Sequence, residues 1–373
     1  MAKSVNGQQI IQLFEQFSPK AYAVEGDKIG LQIGTLNKPI KNVMVTLDVL
    51  ESVIDEAIEK EVDLIIAHHP PIFRSLKHIS TDQPAGRLIE KCLKHDIAVY
   101  AAHTNLDVAD GGVNDLLAEA LELSETEVLA PTYTDPLKKL AVYVPKEYEE
   151  QVRAALGNAG AGHIGEYSHC AFSSEGIGSF KPLDGAKPFI GEVGELELVH
   201  EVRLETVFPK SVEKAVINAM IKSHPYEEVA YDIYPVEQTP AEKGLGRVGT
   251  LKNEMTLKEF ALFVKDKLDV NGVRMVGDAD SMVKKVAVLG GDGNKYIHHA
   301  KRKGADVYVT GDLYFHVAHD AMMLGLNVVD PGHYAEKIMK EGVTRKLTSM
   351  CNDKKFGVNI FVSETDTNPF TFL

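Results

Sequence analysis

The chain has 373 residues, more than twice a typical domain of roughly 150, so at least two hydrophobic cores are expected. Hydrophobic residues make up 44% and charged residues 25%, the balance of an ordinary globular protein rather than a disordered or fibrous one. Forty Lys and Arg against fifty-four Asp and Glu give a net charge of −14, which opposes a sequence-independent grip on nucleic-acid phosphates or anionic lipid. Neither nucleic acid nor membrane is therefore expected as a partner.

The opening segment, MAKSVNGQQIIQLFEQF, breaks its apolar positions with Gln and Glu as an amphipathic helix does, and no apolar run approaches the roughly eighteen residues of a membrane span. Cys92, Cys170 and Cys351 are widely spaced and odd in number, so neither a disulfide framework nor a thiolate zinc site is indicated. A cytoplasmic location is expected. The loop EGDKIGLQIG sets Asp27 between glycines, and two readings stay open for it: a wall of a cleft, or a plain turn.

The segment from Lys41 to His69 aligns without a gap on the segment from Lys284 to Asp312, 243 positions later, with seven of twenty-nine positions identical. Composition alone would give roughly two. Each copy reads as a β-branched run, a 3.6-period segment and a second apolar run, the pattern of a βαβ unit with buried parallel strands. A third strand follows each copy, ending at His103 in the first half and at His333 in the second. Pro, Gly and polar residues cluster at 131–136 and 237–244 as linkers do. Between them, strands and helices follow a double βαβ pattern of ferredoxin type. The fold class expected is α/β: two related halves, residues 1–133 and 241–373, forming one metal-binding domain interrupted by an α+β insertion over 134–240.

Three segments carry candidate chemistry. In AHHPPIF, His68 and His69 follow the run DLIIA, at the carboxyl end of a parallel strand where α/β sheets bind ligands. Pro70 and Pro71 turn the chain there, so both rings can face one centre; capping loop histidines are the bland alternative. In YAAHTNLDVADGG, His103 and Asp107 leave the neighbouring strand; Asp107 can ligate a metal or cap the following helix. In DPGHYAEKIMKEG, His333 and Glu336 are three apart on one face of a helix start, and can bind one ion or lie exposed to solvent.

All three segments fall at the same kind of position, and three imidazoles with two carboxylates and no thiolate suit zinc, iron, manganese or cobalt rather than calcium. Five ligands exceed one open catalytic zinc site and suit two divalent ions sharing a carboxylate. Two such ions imply hydrolytic chemistry. His103, Asp312 and His316 are candidate acid–base groups by position, each also readable as a support for a ligand. GGDGN from Gly290 has the look of a phosphate-cradling turn. GLGRVG from Gly244 follows a linker and lacks the strand-before, helix-after setting of a dinucleotide site, so no Rossmann cofactor is expected.

The elements GDKIGLQIG, VTLDV, LIIAHHP, AAHTNLDVADGGVND, GLGRVG, VYVTGDLYFHVAHDA and GHYAEK make the chain similar to the NGG-interacting-factor-three-like family, whose members are called GTP cyclohydrolase 1 type 2 homologues. They span both outer segments. GAGHIGEYSHCAF, GIGSF and HPYEEVAYDIYPV in the middle resemble the PII-like or CutA-like insertion of longer members. The resemblance implies a dinuclear site in which His68 and His333 serve one ion, His69 and Asp107 the other, and Glu336 bridges. Many members space the last His and Glu by four rather than three, and carry Asn where this chain has Lys28. It also implies ring-shaped homohexamers with the metal sites facing an internal cavity, and a metal-dependent hydrolase acting on a nucleotide or other small molecule. The other reading is a non-enzymatic, metal-responsive or PII-like regulatory scaffold.

Overall fold

The structure, a computed structural model, describes residues 4–238 and 242–373. The boundary expected between residues 240 and 241, and the first three residues of the opening segment, lie outside the described residues. The fold is mixed α/β and divides into two compact units, one made of the residues up to Tyr133 with Lys243–Leu373, the other of Thr134–Glu242.

The first unit begins with β1 (Val5–Asn6), α1 (Gly7–Phe17), β2 (Gly30–Ile33), β3 (Pro39–Ile40), β4 (Asn42–Thr46), α2 (Glu51–Glu59), β5 (Leu64–Ala67), α3 (Pro84–Lys94), β6 (Ala98–Ala101), α4 (Thr104–Val108), α5 (Val113–Ala120) and β7 (Ser124–Thr134). Helix α1 starts at Gly7 because Asn6 caps it. The Asn6 side chain accepts from Gln9 N at 3.0 Å while the Gln9 side chain accepts from Asn6 N at 3.1 Å, satisfying two otherwise orphaned amides.

The second unit comprises β8 (Leu137–Pro145), α6 (Glu149–Asn158), β9 (Ala171–Phe180), β10 (Glu197–Pro209), α7 (Glu213–Ser223) and β11 (Tyr231–Pro235). Its sheet is antiparallel, in the order β11-β8-β10-β9. Alternate residues of β8, Leu140, Val142 and Val144, pack with Val152 and Leu156 of α6 and Val216 and Met220 of α7. The period of two along a strand sends the intervening side chains to the other face.

The chain then returns to the first unit with β12 (Glu242–Thr256), α8 (Leu257–Lys267), β13 (Arg274–Val276), β14 (Met282–Asp292), α9 (Ile297–Arg302), β15 (Val307–Gly311), α10 (Phe315–Met323), β16 (Asn327–Asp330), α11 (Ile338–Asp353) and β17 (Asn359–Val362). Two sheets result, ordered β17-β4-β5-β6-β2 and β13-β16-β15-β14-β12-β7. Strands β4, β5 and β6 are mutually parallel, as are β14, β15 and β16.

The 243-residue repeat is a repeat of register. Val43 pairs with Leu64 in the first sheet and Val286 with Val307 in the second, each 243 positions on. The shared Asp explains itself: Asp63 Oδ2 accepts from Lys41 N and Asn42 N at 2.7 and 2.9 Å, and Asp306 Oδ2 from Lys284 N and Lys285 N at 3.0 and 2.8 Å. One carboxylate ties the start of each first strand to the start of the next. Val43, Val45, Leu64 and Ile66 face the same buried core as Val286, Val288, Val307 and Val309, together with residues of α1, α5, α8 and α11. Met44 and Ile65, and Ala287 and Tyr308, point to separate outer cores. Strands buried on both faces require such unbroken apolar runs.

Past β17 the chain is pinned rather than paired. Glu56 of α2 accepts from Ser363 Oγ at 2.7 Å, Glu364 N at 2.8 Å, and Thr365 N and Oγ1 at 3.1 and 2.6 Å. Burial would raise the Glu56 pKa, but these donors outweigh it and lower it from 4.5 to about 2. A depressed folded-state value stabilises the fold above the unfolded value and is lost as pH falls from 4.5 towards 2. Glu56→Gln is therefore expected to cost about 1–2 kcal/mol at neutral pH, a difference that shrinks in urea denaturation series as pH approaches 2.

Candidate metal centre

Every strand of the two parallel triplets ends beside one cleft of about 960 Å³ in the first unit. Asp48 lies two residues past β4, His68 and His69 directly past β5, and His103 two past β6; in the second half Asp312 directly follows β15 and His333 lies three past β16. His68 and His69 form a bend, not strand, so their rings are released from the alternation of a β-ladder.

His333 and Glu336 stand in a 3-10 helix, His333–Lys337, ahead of α11. Three residues make one turn of that helix, so positions i and i+3 eclipse. A spacing of three therefore brings the two side chains to one side more directly than in an α-helix, and His333 Nε2 lies 3.2 Å from Glu336 Oε2.

The side chains converge in three sets, each with ligand atoms within 4.8 Å of one another: His68, Asp107 and Glu336; His69, His333 and Glu336; and His68, His69 and His103. Glu336 is buried at 2% exposure and belongs to two of them. Its Oε1 lies 3.7 Å from His68 Nε2 and its Oε2 3.1 Å from His69 Nε2. The grouping differs from the one the resemblance implied: His333 sits with His69, and His68 with Asp107. The cause is reach. His69 and His333 approach the same carboxylate oxygen, while the wholly buried His68 faces Asp107 Oδ1 at 3.6 Å.

Each ring is held by its other nitrogen. His68 Nδ1 bonds the Ala102 carbonyl at 2.9 Å, His69 Nδ1 bonds Asp48 at 2.6 Å, His103 Nδ1 bonds Asp27 at 2.8 Å and His333 Nδ1 bonds Asp312 at 2.7 Å. Tying Nδ1–H to an oxygen fixes the tautomer and leaves Nε2 with its lone pair available, the arrangement that orients metal-binding histidines. Asp27 and Asp312 thus act through histidines, Asp27 being further fixed by the backbone and hydroxyl of Thr104. Asp48 escaped the sequence analysis, although an acidic residue two positions past an apolar strand was a readable signal. His316 is a correction. It lies on the exposed first turn of α10, ringed by Phe315 and His319, and does not line the cleft.

Two glycine-bearing segments explain their glycines here. A Cβ on Gly290 would lie 2.8 Å from Glu336 Oε1, and one on Gly291, at φ +64°, would lie 2.9 Å from the same atom. GGDGN thus brings the end of β14 into close approach with the buried carboxylate. GLGRVG lies within strand β12, where Arg247 pairs with Asp115 and donates to the carbonyls of Gly244 and Gly246.

The residues fit a cation on one further count. His68 Nε2 and Asp107 Oδ1 are buried polar atoms with no hydrogen-bond partner, and they face each other. Orphaned buried polar atoms are costly and uncommon in native proteins. Burial pushes Asp107 up to about 6, against the pull of His68. Burial would lower His69 and His333, yet Asp48 and Glu336 raise the first to about 10, and Glu336 and Asp312 raise the second to about 9. In the reverse sense, burial would raise Glu336, but His68, His333 and His69 hold it well below its ordinary value.

An α/β chain with carboxylates and imidazoles gathered at the strand ends of a duplicated sheet defines a class of protein whose side chains could hold a metal ion. Its family follows from the whole sequence. The model of the Duf34/NIF3 (NGG1p interacting factor 3) family matches residues 5–369, and the chain belongs to that family. It is 59% identical over 371 residues to a GTP cyclohydrolase 1 type 2 homolog of Halalkalibacterium halodurans, covering 100% of both chains. It is 48% identical to that of Listeria innocua, covering 99% of this chain and 100% of the relative. Among solved structures, a Bacillus cereus protein related to NIF3 superposes with a TM-score of 0.96 at 60% identity over 100% of both chains. A Staphylococcus aureus protein gives 0.79 at 32% identity over 99% of both. Among the described residues no helix is long and apolar enough to cross a membrane.

Since His69 and His333 hold protons at neutral pH without a cation, and a cation needs neutral imidazole, uptake must displace protons. Calorimetry with Zn²⁺ at pH 7, in buffers of differing ionisation enthalpy, should report net proton release on binding. Affinity should strengthen as pH rises towards 9.

Proposed function

We propose that the chain is a dinuclear-metal protein and a metal-dependent hydrolase acting on a nucleotide or another small molecule. The observation that carries this reading is the orphaned pair His68 Nε2 and Asp107 Oδ1 beside Glu336, a carboxylate common to two ligand sets. In it His68 and Asp107 would hold one divalent ion and His69 and His333 the other, with Glu336 common to both sets. Zinc, iron, manganese and cobalt suit these donors. When bound, such a pair supplies Lewis acidity and lowers the pKa of water, the chemistry of two-metal hydrolases.

The chain's own groups do the rest. His103, anchored by Asp27, borders the cleft beside His68 and His69 and carries a proton to or from the reacting group. Phe73 and Phe370, together with Tyr296 and Tyr334, give the cleft aromatic walls against which a flat heterocycle can lie, and Lys295 adds a cation for phosphate. The name borne by the relatives, GTP cyclohydrolase 1 type 2 homolog, makes nucleotides the first panel to try.

Wild-type protein supplied with manganese, zinc or iron is expected to turn over a member of a nucleotide panel, and His69→Ala to abolish it. His103→Ala should keep both ions by elemental analysis while turnover falls about 10²–10⁴-fold, the usual worth of a general acid or base. Activity that survives loss of the metal sinks the reading.

A second reading is favoured by the other unit. Its βαββαβ order and 4-1-3-2 strand arrangement support a PII-like or CutA-like insertion over 134–240 that splits the metal-binding domain, and one face of its sheet carries Ile177 and Leu198 in exposed positions. An uncovered apolar face of that kind suits assembly into a homohexamer or the sensing of a ligand. Deletion of residues 136–238 separates the two readings. Turnover that persists supports the hydrolase, whereas loss of all turnover and ligand binding with the metal retained makes the insertion the working part and the chain a regulatory scaffold.

A further inference from the structure

The segment after β17 buries two residues, Ser363 and Thr367, between more exposed ones. Thr367 is 9% exposed, and its hydroxyl donates to Asp48 Oδ2 at 2.5 Å. The other oxygen of Asp48 accepts from His69 Nδ1 at 2.6 Å, and His69 Nε2 lies 3.1 Å from Glu336. A relay of hydroxyl, carboxylate and imidazole thus runs from the C-terminal segment into the centre, spanning 319 positions in its first link.

The same relay occurs once more at His103. Thr104 donates its hydroxyl to Asp27, whose other oxygen accepts from His103, the residue next to Thr104. The recurrence matters because an aspartate with one free oxygen can swing about its terminal torsion, which is broad. A second hydrogen bond removes that freedom and aims the ring.

The segment is held for this task at separate points. Glu56 grips Ser363 to Thr365, Asp366 Oδ1 accepts from Asn368 N at 2.9 Å, and Asn368 Oδ1 accepts from Phe370 N at 3.1 Å. These short Asx turns carry Asn368, Pro369 and Phe370 along the wall of the cleft that His69 also lines. Beyond Ser363 N, which donates to the Val45 carbonyl of β4 at 2.9 Å, no strand pairing holds this stretch.

We infer that the C-terminal segment Ser363–Phe370 is a working part of the metal centre, and that Thr367 is a positioning residue which fixes Asp48 and, through it, His69. The inference rests on the dinuclear reading above and names one ion, the one held by His69 and His333, as the ion it serves. Loss of one supporting partner commonly costs 10–100-fold in metal affinity.

The experiment is competition of full-length wild type, Thr367→Val, Thr367→Ser and Asp48→Asn against a chromogenic chelator for Zn²⁺, with Mn²⁺ titration as a second probe and thermal melts of the apo proteins. The valine variant is expected to bind one of two ions about 10–100-fold more weakly and the other within about twofold of wild type, with Asp48→Asn losing at least as much. Thr367→Ser, which restores the hydroxyl, is expected to restore that ion. Valine and wild type alike within twofold at both ions, or equal weakening of both ions with a lowered melting temperature, would overturn the inference while leaving the dinuclear reading standing. Wild type that takes up no cation overturns both.

Discussion

Glu336 is the group on which the rest of the centre depends. It is a carboxylate at 2% exposure, and an isolated charge at such depth costs several kcal/mol. What makes it tolerable is the set of imidazoles around it: His68 and His69 from the first half of the chain, and His333 from the second. The His68 and His69 pairs therefore cross between the halves, and the halves must pack for them to form, whereas His333 reaches Glu336 within its own turn. Asn114 in α5 adds to this closure, since its side-chain Oδ1 accepts from Gly290 N at 3.0 Å, at the end of β14 that leaves room for Glu336.

The duplication divides the labour in a way that chain symmetry alone would not suggest. Where scaffold is concerned the halves keep the same solution, down to the strand register and the aspartate that clamps the strand starts. At the strand ends they part. Positions 243 after His68, His69 and Asp48 are Gly311, Asp312 and Gly291. A Cβ on Gly311 would meet the His333 backbone at 2.8 Å, and one on Gly291 would crowd Glu336. The second half thus gives up side chains to make room for Glu336 and His333, and spends Asp312 on aiming the latter. Two identical sets of ligands could not occupy one buried space.

This accounts for what could be read from the amino acids and what could not. The parallel strands, their repeat and the five candidate ligands were legible because each depends on local pattern: apolar runs, their breaks, and chemistry-bearing residues at the breaks. Which imidazole sits with which carboxylate was not legible, because it is decided by ring orientation, and orientation by Ala102, Asp48, Asp27 and Asp312 acting on Nδ1. His316 shows the limit from the other side. It follows the same strand as Asp312, but Leu313 is drawn into a small core with Ala321 and Val328, and α10 begins with its first turn exposed. Distance along the chain from a strand end is informative for the first few residues only; after that, the packing of the next helix decides.

Charge gives the site its physical logic. Five carboxylates, those of Asp27, Asp48, Asp107, Asp312 and Glu336, meet four imidazoles. Were the rings neutral, that density of like charge in a poorly solvated space would be strongly unfavourable. Without a cation the remedy is protons, which is why His69 and His333 hold theirs so tightly and why burial keeps Asp107 ready to take one. On the proposed reading, divalent ions do the same work with the rings neutral and their Nε2 lone pairs engaged. A fold that has aimed every ring by its far nitrogen has removed most of the reorganisation such an exchange would otherwise require.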